Sequence, residues 1–441
     1  MKKILFVSNS GESLPICYRL KKEKVDVSIY IHLPKYRKNY TGMGIRKVRL
    51  KNIKKEVRNA DLIVFDMVKS NDGTGEDRNL LKIFGAPVKS DNVFGVVGDN
   101  IKRKFGKTVI GASEWTEKLE LDRKIGSQYA KKIGISIPMT HEFNTLNAGI
   151  NFLSKNKGKW VFKPNNNKDL DLTYVESYEG ELLRKMKNEY PNRIGNKINY
   201  ILQEKIEGDE ISTEGLFNGK EFTSFNHTLE LKKLMTGNVG LSIGSQSNIV
   251  WVKKDYKGLL VDNLRRMEKD LRKAKYIGPI DFNCIVRNGI PYFIEISART
   301  GFDALYNTLN LIKGPISNFF FNKFNVKFKD GFSASERISI PPYPYATPQL
   351  LNTFARDVSV NIMHSNFWME DVYFNNGIKC AGSDGILGVV TGYGKTFHDA
   401  WRVVHRNINK LKISAPIQYR MDGFSQTIGR FNNLYGHIQI L

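Results

Sequence analysis

The stretch Ile280–Arg299 reads IDFNCIVRNGIPYFIEISAR and is the most informative part of the sequence. Its Asn288-Gly289 dipeptide is typical of a two-residue β-hairpin turn, and apolar residues run along both sides of it. Two neighbouring strands therefore carry Asp281 and Glu295, and a tight hairpin allows both carboxylates to face the same side of a sheet. The sequence thus predicts a pair of convergent acids among apolar neighbours.

Convergent carboxylates in an apolar setting are expensive to bury unless a cation neutralises them. A hard cation with oxygen ligands is the natural partner, and Mg²⁺ bridging nucleotide phosphates fits this description, with Mn²⁺ as an alternative. Ser297 lies two residues after Glu295, on the same strand face, where its hydroxyl adds an oxygen ligand. Arg299 is placed to hold a phosphoryl group or an anionic intermediate. A surface hairpin with unpaired acids is the competing interpretation.

The bulk composition is that of an ordinary globular protein. The chain has 441 residues, of which 41% are hydrophobic and 25% charged, enough for roughly two to four domains. No apolar run is long enough to cross a membrane, and the apolar start at Met1–Val7 ends too soon for a signal peptide. Cys17, Cys284 and Cys380 show no metal-ligand spacing. We therefore expect a cytoplasmic protein with no membrane partner.

The net charge of +24 is unusual, and part of it lies in Arg46–Arg58, which reads RKVRLKNIKKEVR. The functional interpretation is attraction to phosphates, either of a nucleotide or of a polymer. The alternative is a lysine-rich composition whose charges are simply solvated. A nucleic acid therefore stays open as a partner.

The start of the chain alternates strands with helical spacers. Four short apolar runs mark the strands: Ile4–Val7, Val25–Ile31, Asp61–Asp66 and Lys107–Gly111. This alternation predicts an α/β fold with a doubly wound parallel sheet over residues 1–112, followed by a middle region of α+β character. Ligands of such sheets bind at the carboxyl ends of the strands, which places Ser10 and Gly11 at a substrate cleft.

The hairpin resembles the metal-binding hairpin of the ATP-grasp superfamily, whose last strand reads apolar-Glu-apolar-Asn-x-Arg. Here that strand is Ile294–Arg299, with Ser297 at the position of the usual Asn. Three upstream elements follow the order of the superfamily. Trp160–Pro164 is similar to the strand whose lysine contacts phosphate, Ile201–Ile206 to the hinge that reads adenine, and Gly208–Ser212 to the stretch whose acid takes the ribose hydroxyls.

The resemblance implies a two-lobed ATP-grasp region over residues 113–335, with a small lobe at about 140–205 and a large lobe at about 206–335. It implies that Asp281, Glu295 and Ser297 bind the metal and that Lys163 and Arg299 act in catalysis. The ATP-binding residues that it implies are Lys124, Lys163, Gln203, Glu204, Lys205, Ile206, Glu210 and Lys232.

Within that superfamily the chain resembles the phosphoribosylamine–glycine ligase family over nearly its whole length. The opening ILFVSNSGES is similar to the first strand and turn of that family, and Asp122-Arg123-Lys124 to its entry into the ATP-grasp region. Gly385–Gly394 and the following helix resemble its C-terminal domain. The resemblance implies a substrate domain over residues 1–112 and a small C-terminal α/β domain over residues 336–441.

Several positions depart from that family. Its phosphate-covering loop is rich in glycine, whereas the matching Asn165–Asp171 has none. Its Arg-Phe-Gly-Asp-Pro-Glu signature corresponds here to Arg299-Thr-Gly-Phe-Asp-Ala, which keeps the Arg and Gly301 but moves the acid to Asp303. We therefore expect ATP and metal binding as in that family. We expect a different substrate pocket, with the residues Ser10, Gly11, Gly301 and Asp303.

The function implied by the resemblance is an ATP-dependent carboxylate–amine ligase that forms an amide through an acyl phosphate and releases ADP and phosphate. The expected substrates are small molecules, an amino acid and a phosphate-bearing amine such as a nucleotide or modified base. We expect a monomer or a dimer. Two alternatives stay open: a nucleotide- or nucleic-acid-binding protein on an altered ATP-grasp scaffold, and an orthodox phosphoribosylamine–glycine ligase.

Overall fold

The computed structural model describes residues 1–165, 172–253, 257–301, 303–345, 347–361 and 365–436. The chain begins with a five-stranded parallel sheet. Its elements are β1 (Lys3–Ser8), α1 (Leu14–Lys22), β2 (Asp26–Ile31), β3 (Arg46–Lys47), α2 (Ile53–Asn59), β4 (Leu62–Phe65), α3 (Gly75–Ile83), α4 (Val93–Phe105) and β5 (Thr108–Ile110). The strand order is β3-β2-β1-β4-β5, which confirms the predicted doubly wound parallel sheet.

Burial on both faces explains why the strands of this sheet are continuously apolar. Ile4 and Phe6 of β1 belong to the main core of the molecule, whereas Leu5 and Val7 point into a second core that also holds Phe65 of β4. Strands buried on both faces are typical of parallel sheets. The sheet is therefore firmly packed, and its strand ends are held in fixed positions.

The next part of the chain forms a small four-stranded antiparallel sheet with its own core, in which Phe162 stacks on Tyr200 with ring centroids 4.5 Å apart. Two helices, α5 (Glu114–Leu121) and α6 (Arg123–Lys132), precede it. The elements of this small lobe are β6 (Thr140–Thr145), α7 (Leu146–Lys155), β7 (Trp160–Pro164), β8 (Tyr174–Val175), α8 (Glu181–Asn188), α9 (Tyr190–Ile194) and β9 (Lys197–Glu204).

A large antiparallel sheet of eight strands fills the rest of the chain. Its elements and the helices between them are β10 (Asp209–Phe217), β11 (Phe222–Met235), β12 (Val239–Lys253), α10 (Leu259–Arg265), α11 (Glu268–Lys273), β13 (Gly278–Arg287), β14 (Ile290–Ser297), α12 (Ala304–Leu311), α13 (Ser317–Phe321), β15 (Phe332–Ser339), α14 (Pro348–Phe354), β16 (Phe367–Met369), β17 (Val372–Phe374), β18 (Ile378–Cys380), β19 (Ile386–Gly394), α15 (Phe397–Ile408) and α16 (Gly423–Tyr435). The strand order is β14-β13-β10-β11-β12-β15-β19-β16, and β17 pairs with β18 separately.

The large sheet runs across the boundary predicted between residues 335 and 336. Strand β15 spans that position, and β19 pairs with β15 along its length, with Glu336 opposite Val390. The tail therefore extends the sheet of the ATP-grasp region, and the division into three domains stays a prediction. No helix within the described part of the chain is both long and apolar enough to span a membrane.

Candidate active site

The Ile280–Arg299 segment forms the hairpin of β13 and β14. Asn288 and Gly289 have φ angles of +52° and +76°, as a tight primed turn requires. In the resulting register Asp281 lies opposite Ser297 and Asn283 lies opposite Glu295. Because every second residue of a strand shares a face, all four side chains belong to one face of the sheet.

The electrostatic surroundings of the two acids differ. The pKa of Asp281 is raised to about 6. Burial is the main cause and the charge of Glu295 adds to it, while a hydrogen bond from the Ser212 hydroxyl acts in the opposite direction. Partial desolvation within the site also raises the pKa of Glu295, whose side chain is 47% exposed, but the nearby cations, Lys232 first among them, outweigh it and hold that pKa below its ordinary value. The cations therefore favour the charged form of Glu295, whereas for Asp281 the opposing effects of Arg299 and Lys232 are smaller than that of burial.

A cavity of about 570 Å³, here called the interlobe cleft, opens between the small lobe and the large sheet. Glu295 lies in its lining. Seven of the eight predicted ATP-binding residues also line it: Lys163, Gln203, Glu204, Lys205, Ile206, Glu210 and Lys232. Residues predicted from four separate segments thus meet at one cavity.

Two lysines in the interlobe cleft are held by polar partners. Lys163 on β7 is only 7% exposed, and its ammonium donates to the Gln203 side chain at 2.7 Å. Burial, with Arg123 adding to it, lowers the pKa of Lys163 to about 8. Lys232 on β11 pairs with Glu210 at 2.7 Å and lies 3.8 Å from Glu295. The Lys163 ammonium is therefore held by a neutral amide, whereas the Lys232 ammonium is surrounded by carboxylates, since Glu230 also lies 3.7 Å from it.

Lys124 is the predicted ATP-binding residue that the structure places elsewhere. It forms an ion pair with Glu142 at 3.0 Å and is absent from the lining of the cleft, whereas its neighbour Arg123 lines it. The start of α6 determines which of the two residues faces the cleft. The helix begins at Arg123, and Asp122 caps its N-terminus by accepting hydrogen bonds from the amides of residues 124 and 125.

This arrangement predicts that substitution of Arg123 weakens ATP binding and that substitution of the adjacent Lys124 does not. Arg123→Ala removes a cation from the cleft and is expected to weaken ATP binding by about 1–3 kcal/mol, the usual range for a lost charge-assisted hydrogen bond. Lys124→Ala removes only an exposed ion pair and is the matched control. Titration of each variant with ATP by calorimetry measures the difference. Weakening by Lys124→Ala alone would contradict the placement of Arg123.

A second cavity of about 380 Å³ adjoins the interlobe cleft and shares Arg123 and Glu295 with it. Ser297 and Arg299 line this cavity, and Asn9 reaches it from the end of β1. The Arg299 side chain donates to Glu120 at 2.9 Å, and Glu120 also accepts the Ala298 amide at 2.8 Å. Glu120 therefore fixes the direction of Arg299 next to the two acids.

Of the three predicted metal ligands, Glu295 and Ser297 line the cavities, whereas Asp281 is not in the lining of either one. Asn283 is 5% exposed, its amide nitrogen donates to Glu210, and its Oδ1 has no hydrogen-bond donor among the described residues. That oxygen lies on the strand face of Asp281 and Glu295. No group of three or more His, Cys, Asp or Glu residues in the described ranges is arranged to hold a metal ion. The residues fit Mg²⁺ that keeps waters and phosphates as further ligands, as it usually does.

The predicted substrate residues are distributed over two further spaces. Ser10 and Gly11 line a cavity of about 280 Å³ at the end of β1, and Gly301 lines a small recess of about 20 Å³ beside it. Asp303 lines neither: it is 2% exposed and accepts two hydrogen bonds of 3.0 Å from Arg337. Asp303 thus contacts Arg337, which lines the larger cavity, and does not itself line a cavity where the predicted substrate contact would be made.

Sequence reasoning missed Arg123, Asn283, Glu120 and Arg430. Asn283 was detectable, because it follows Asp281 by two residues on the same face. Arg430 on α16 lines the interlobe cleft and donates to the main-chain oxygens of Glu210 and Glu230. These contacts join residues about half the chain apart, so no local sequence pattern predicts them. The predicted phosphate loop, Asn165–Asp171, lies outside the described residues after Asn165.

Comparison with solved structures places this architecture among known folds. No protein-family model and no curated protein sequence matches the chain. Phosphoribosylamine–glycine ligase from Thermotoga maritima is similar with a TM-score of 0.67 at 17% identity, over 95% of this chain and 99% of that one. Biotin carboxylase from Campylobacter jejuni gives 0.58 at 14% identity, over 98% and 96%.

N5-carboxyaminoimidazole ribonucleotide synthetase from Thermotoga maritima gives a TM-score of 0.53 at 13% identity, over 94% of this chain and 100% of that one. These likenesses extend over nearly the full length of each partner, so they concern the whole arrangement of sheets. The chain has the ATP-grasp fold, in an arrangement that resembles phosphoribosylamine–glycine ligase.

Proposed function

We propose that this protein is an ATP-dependent carboxylate–amine ligase. The observation that carries the proposal is the junction of two cavities at Glu295, with Lys163 and Lys232 on the nucleotide side and Arg299 on the other. Cations concentrated around a phosphate site stabilise charge on a transferred phosphoryl group. Among the described residues, neither cavity is lined by a His or a Cys. The proposed reaction needs no such side chain, because the carboxylate of the substrate is itself the nucleophile.

The reaction has two balanced steps. A carboxylate oxygen of the first substrate attacks the γ-phosphorus of ATP, the bond to the β-phosphate oxygen breaks, and ADP leaves. The nitrogen of the amine then attacks the acyl carbon, phosphate leaves with its bonding electrons, and the amide forms after loss of a proton. Both steps depend mainly on positioning and on charge stabilisation.

The side chains divide this work by position. Asp281, Asn283 and Glu295 would hold Mg²⁺, which as a Lewis acid neutralises phosphate charge. Lys163, fixed by Gln203, and Arg123 bind phosphate oxygens, and Arg299, fixed by Glu120, faces the acid substrate from the second cavity. The hinge Glu204–Ile206 lies in the cleft where the adenine is expected.

Removal of the buried lysine tests the nucleotide site. Lys163→Ala is expected to weaken ATP affinity by about 1–3 kcal/mol, because a charge-assisted hydrogen bond to phosphate is lost. Lys159→Ala on the same lobe is the matched control, since Lys159 pairs with Glu207 on the surface. Calorimetric titration with ATP and with adenosine separates the contribution of the phosphates from that of the nucleoside. The affinity for ATP should fall, and the affinity for adenosine should stay the same. Equal losses for ATP and adenosine would contradict a phosphate contact.

The acid and amine are expected to differ from glycine and phosphoribosylamine, because Asp303 holds Arg337 and the Pro-Glu pair of that family is missing. Polar groups left unpaired by a wrong substrate change selectivity by orders of magnitude. An ADP-release screen of amino acids against amines, with mass spectrometry of the product, tests the proposal. Robust glycinamide ribonucleotide synthesis would identify the orthodox enzyme. Salt-sensitive polymer binding without turnover would support the nucleic-acid-binding alternative instead.

Cytoplasmic location belongs to the same proposal. Cys17, Cys284 and Cys380 are buried and free, which is consistent with a reducing compartment.

A further inference from the structure

The cavity of about 280 Å³ at the end of β1, here called the acidic cavity, is lined by more acidic than basic side chains, although the net charge of the chain is positive. Its only lysine or arginine among the lining residues is Arg337, whose charge is already offset by the two hydrogen bonds to Asp303. Four carboxylates line it: Glu12, Glu370, Asp371 and Asp384. A chain of net charge +24 thus gathers acids around one space.

The partners of these acids leave their charge largely unbalanced. Asp371 accepts the backbone amides of residues 383–385 and is part of that turn. Tyr306 donates to Glu370 at 3.0 Å, and the amide of Ile386 donates to Asp384 at 2.8 Å. Burial raises the pKa of Glu370 well above its ordinary value and that of Asp384 to about 7, and neighbouring carboxylates act in the same direction; Arg337 lowers both, and Lys35 also lowers that of Asp384. The hydrogen-bond donors are neutral, and Arg337 is a single cation in a lining that holds four carboxylates, so a bound cation would lower the energy of the cavity.

A second, independent feature lies beside the acidic cavity. The recess of about 20 Å³ is lined by Glu12, which also lines the acidic cavity, and by Asp66 at the end of β4. Asp66 is 4% exposed, and its Oδ2 accepts from the Ser13 amide at 3.2 Å and hydroxyl at 2.7 Å. Its Oδ1 is buried and accepts no hydrogen bond from the described residues. A space of this size holds one water-sized group.

We propose that the acidic cavity binds the amine substrate as its ammonium ion, with the ammonium group in the recess between Asp66 and Glu12. The ammonium gives one proton to the Asp66 carboxylate, and the lone pair that this frees on nitrogen then attacks the acyl carbon. The inference rests on the proposed function and names the class of the amine: a primary amine that carries further positive charge or none, and no phosphate. An ammonium group donates three hydrogen bonds, and Asp66 Oδ1 is an acceptor that lacks a donor. Thr300 and Gly301 line the recess directly after Arg299, so the amine lies beside the reacting segment.

This inference replaces the phosphate-bearing amine predicted from net charge. Net charge describes the whole surface, whereas a bound group responds to the charges that line its own cavity. A phosphate in the acidic cavity would meet carboxylates of its own sign. The exposed basic residues of Arg46–Arg58 do not line that cavity.

Binding of two probes of opposite charge to the full chain tests the inference. The probes are 1,4-diaminobutane and 2-aminoethyl phosphate, each titrated by calorimetry and each supplied as the amine in the ADP-release assay. Asp66→Asn keeps an oxygen for Ser13, and Glu12→Gln changes a half-buried loop residue, so one variant serves if the other fails to fold. Asp91→Asn, at an exposed acid of the same sheet domain, is the matched control.

We expect the diamine to bind, and both Asp66→Asn and Glu12→Gln to weaken that binding at least about tenfold, the effect of roughly 1.4 kcal/mol, while Asp91→Asn leaves it unchanged. No diamine binding, preference for 2-aminoethyl phosphate, or diamine binding unaffected by both variants would overturn the inference. Diamine binding that depends on Asp66 without any ADP release supports the site and counts against the ligase activity, so the two proposals fail separately.

Discussion

Glu295→Gln is expected to reduce ADP release by on the order of 10²–10³-fold, the loss that follows removal of one preorganised charge-stabilising group. The substitution keeps the shape of the side chain and removes its negative charge, at a residue that lines both cavities. Nucleotide binding without metal should change much less, because Lys163 and the hinge are untouched. ADP release under saturating ATP and Mg²⁺ measures the effect.

Glu142→Gln is the matched control for that substitution. Glu142 is also a glutamate paired with a lysine, and its side chain is 50% exposed against 47% for Glu295. Its variant should retain full activity. A Glu295→Gln protein as active as this control would remove the metal assignment and leave the hairpin as a structural element.

Asp303→Asn is expected to destabilise the fold by about 3–5 kcal/mol, because it leaves the buried Arg337 guanidinium without its counter-charge. The matched control is Asp399→Asn, which breaks the surface pair with Arg402 and should cost less than about 1 kcal/mol. The midpoint of urea unfolding measures both. A normal midpoint for Asp303→Asn together with a raised KM would instead restore the direct substrate contact that the sequence predicts.

The sequence predicts well where chemistry follows local periodicity. Asp281, Glu295 and Ser297 share one face because a strand repeats every two residues and the Asn288-Gly289 turn fixes the register. The strands carrying Lys163 and Gln203 are likewise recognisable from their apolar neighbours, and the two side chains meet across the pair β7–β9.

Long-range contacts and helix phase account for what the sequence does not predict. Lys124 and Arg123 differ by one residue, and only the position of the Asp122 cap determines which of them faces the cleft. Asp303 looks like an exposed acid until Arg337, 34 residues later, is brought against it. The pairing of β19 with β15 likewise joins distant segments, so the continuity of the large sheet across residue 335 has no local signal.

Transfer of oxygen between the substrates tests the central claim most directly. The acid identified in the ADP-release screen is labelled with ¹⁸O in its carboxylate and turned over with ATP and the amine, and the released phosphate is examined by mass spectrometry. An acyl-phosphate route predicts one ¹⁸O atom in each phosphate, because a carboxylate oxygen stays with the phosphorus when the amide forms. ADP release with unlabelled phosphate would contradict carboxylate activation and leave an ATPase or a binding protein in its place.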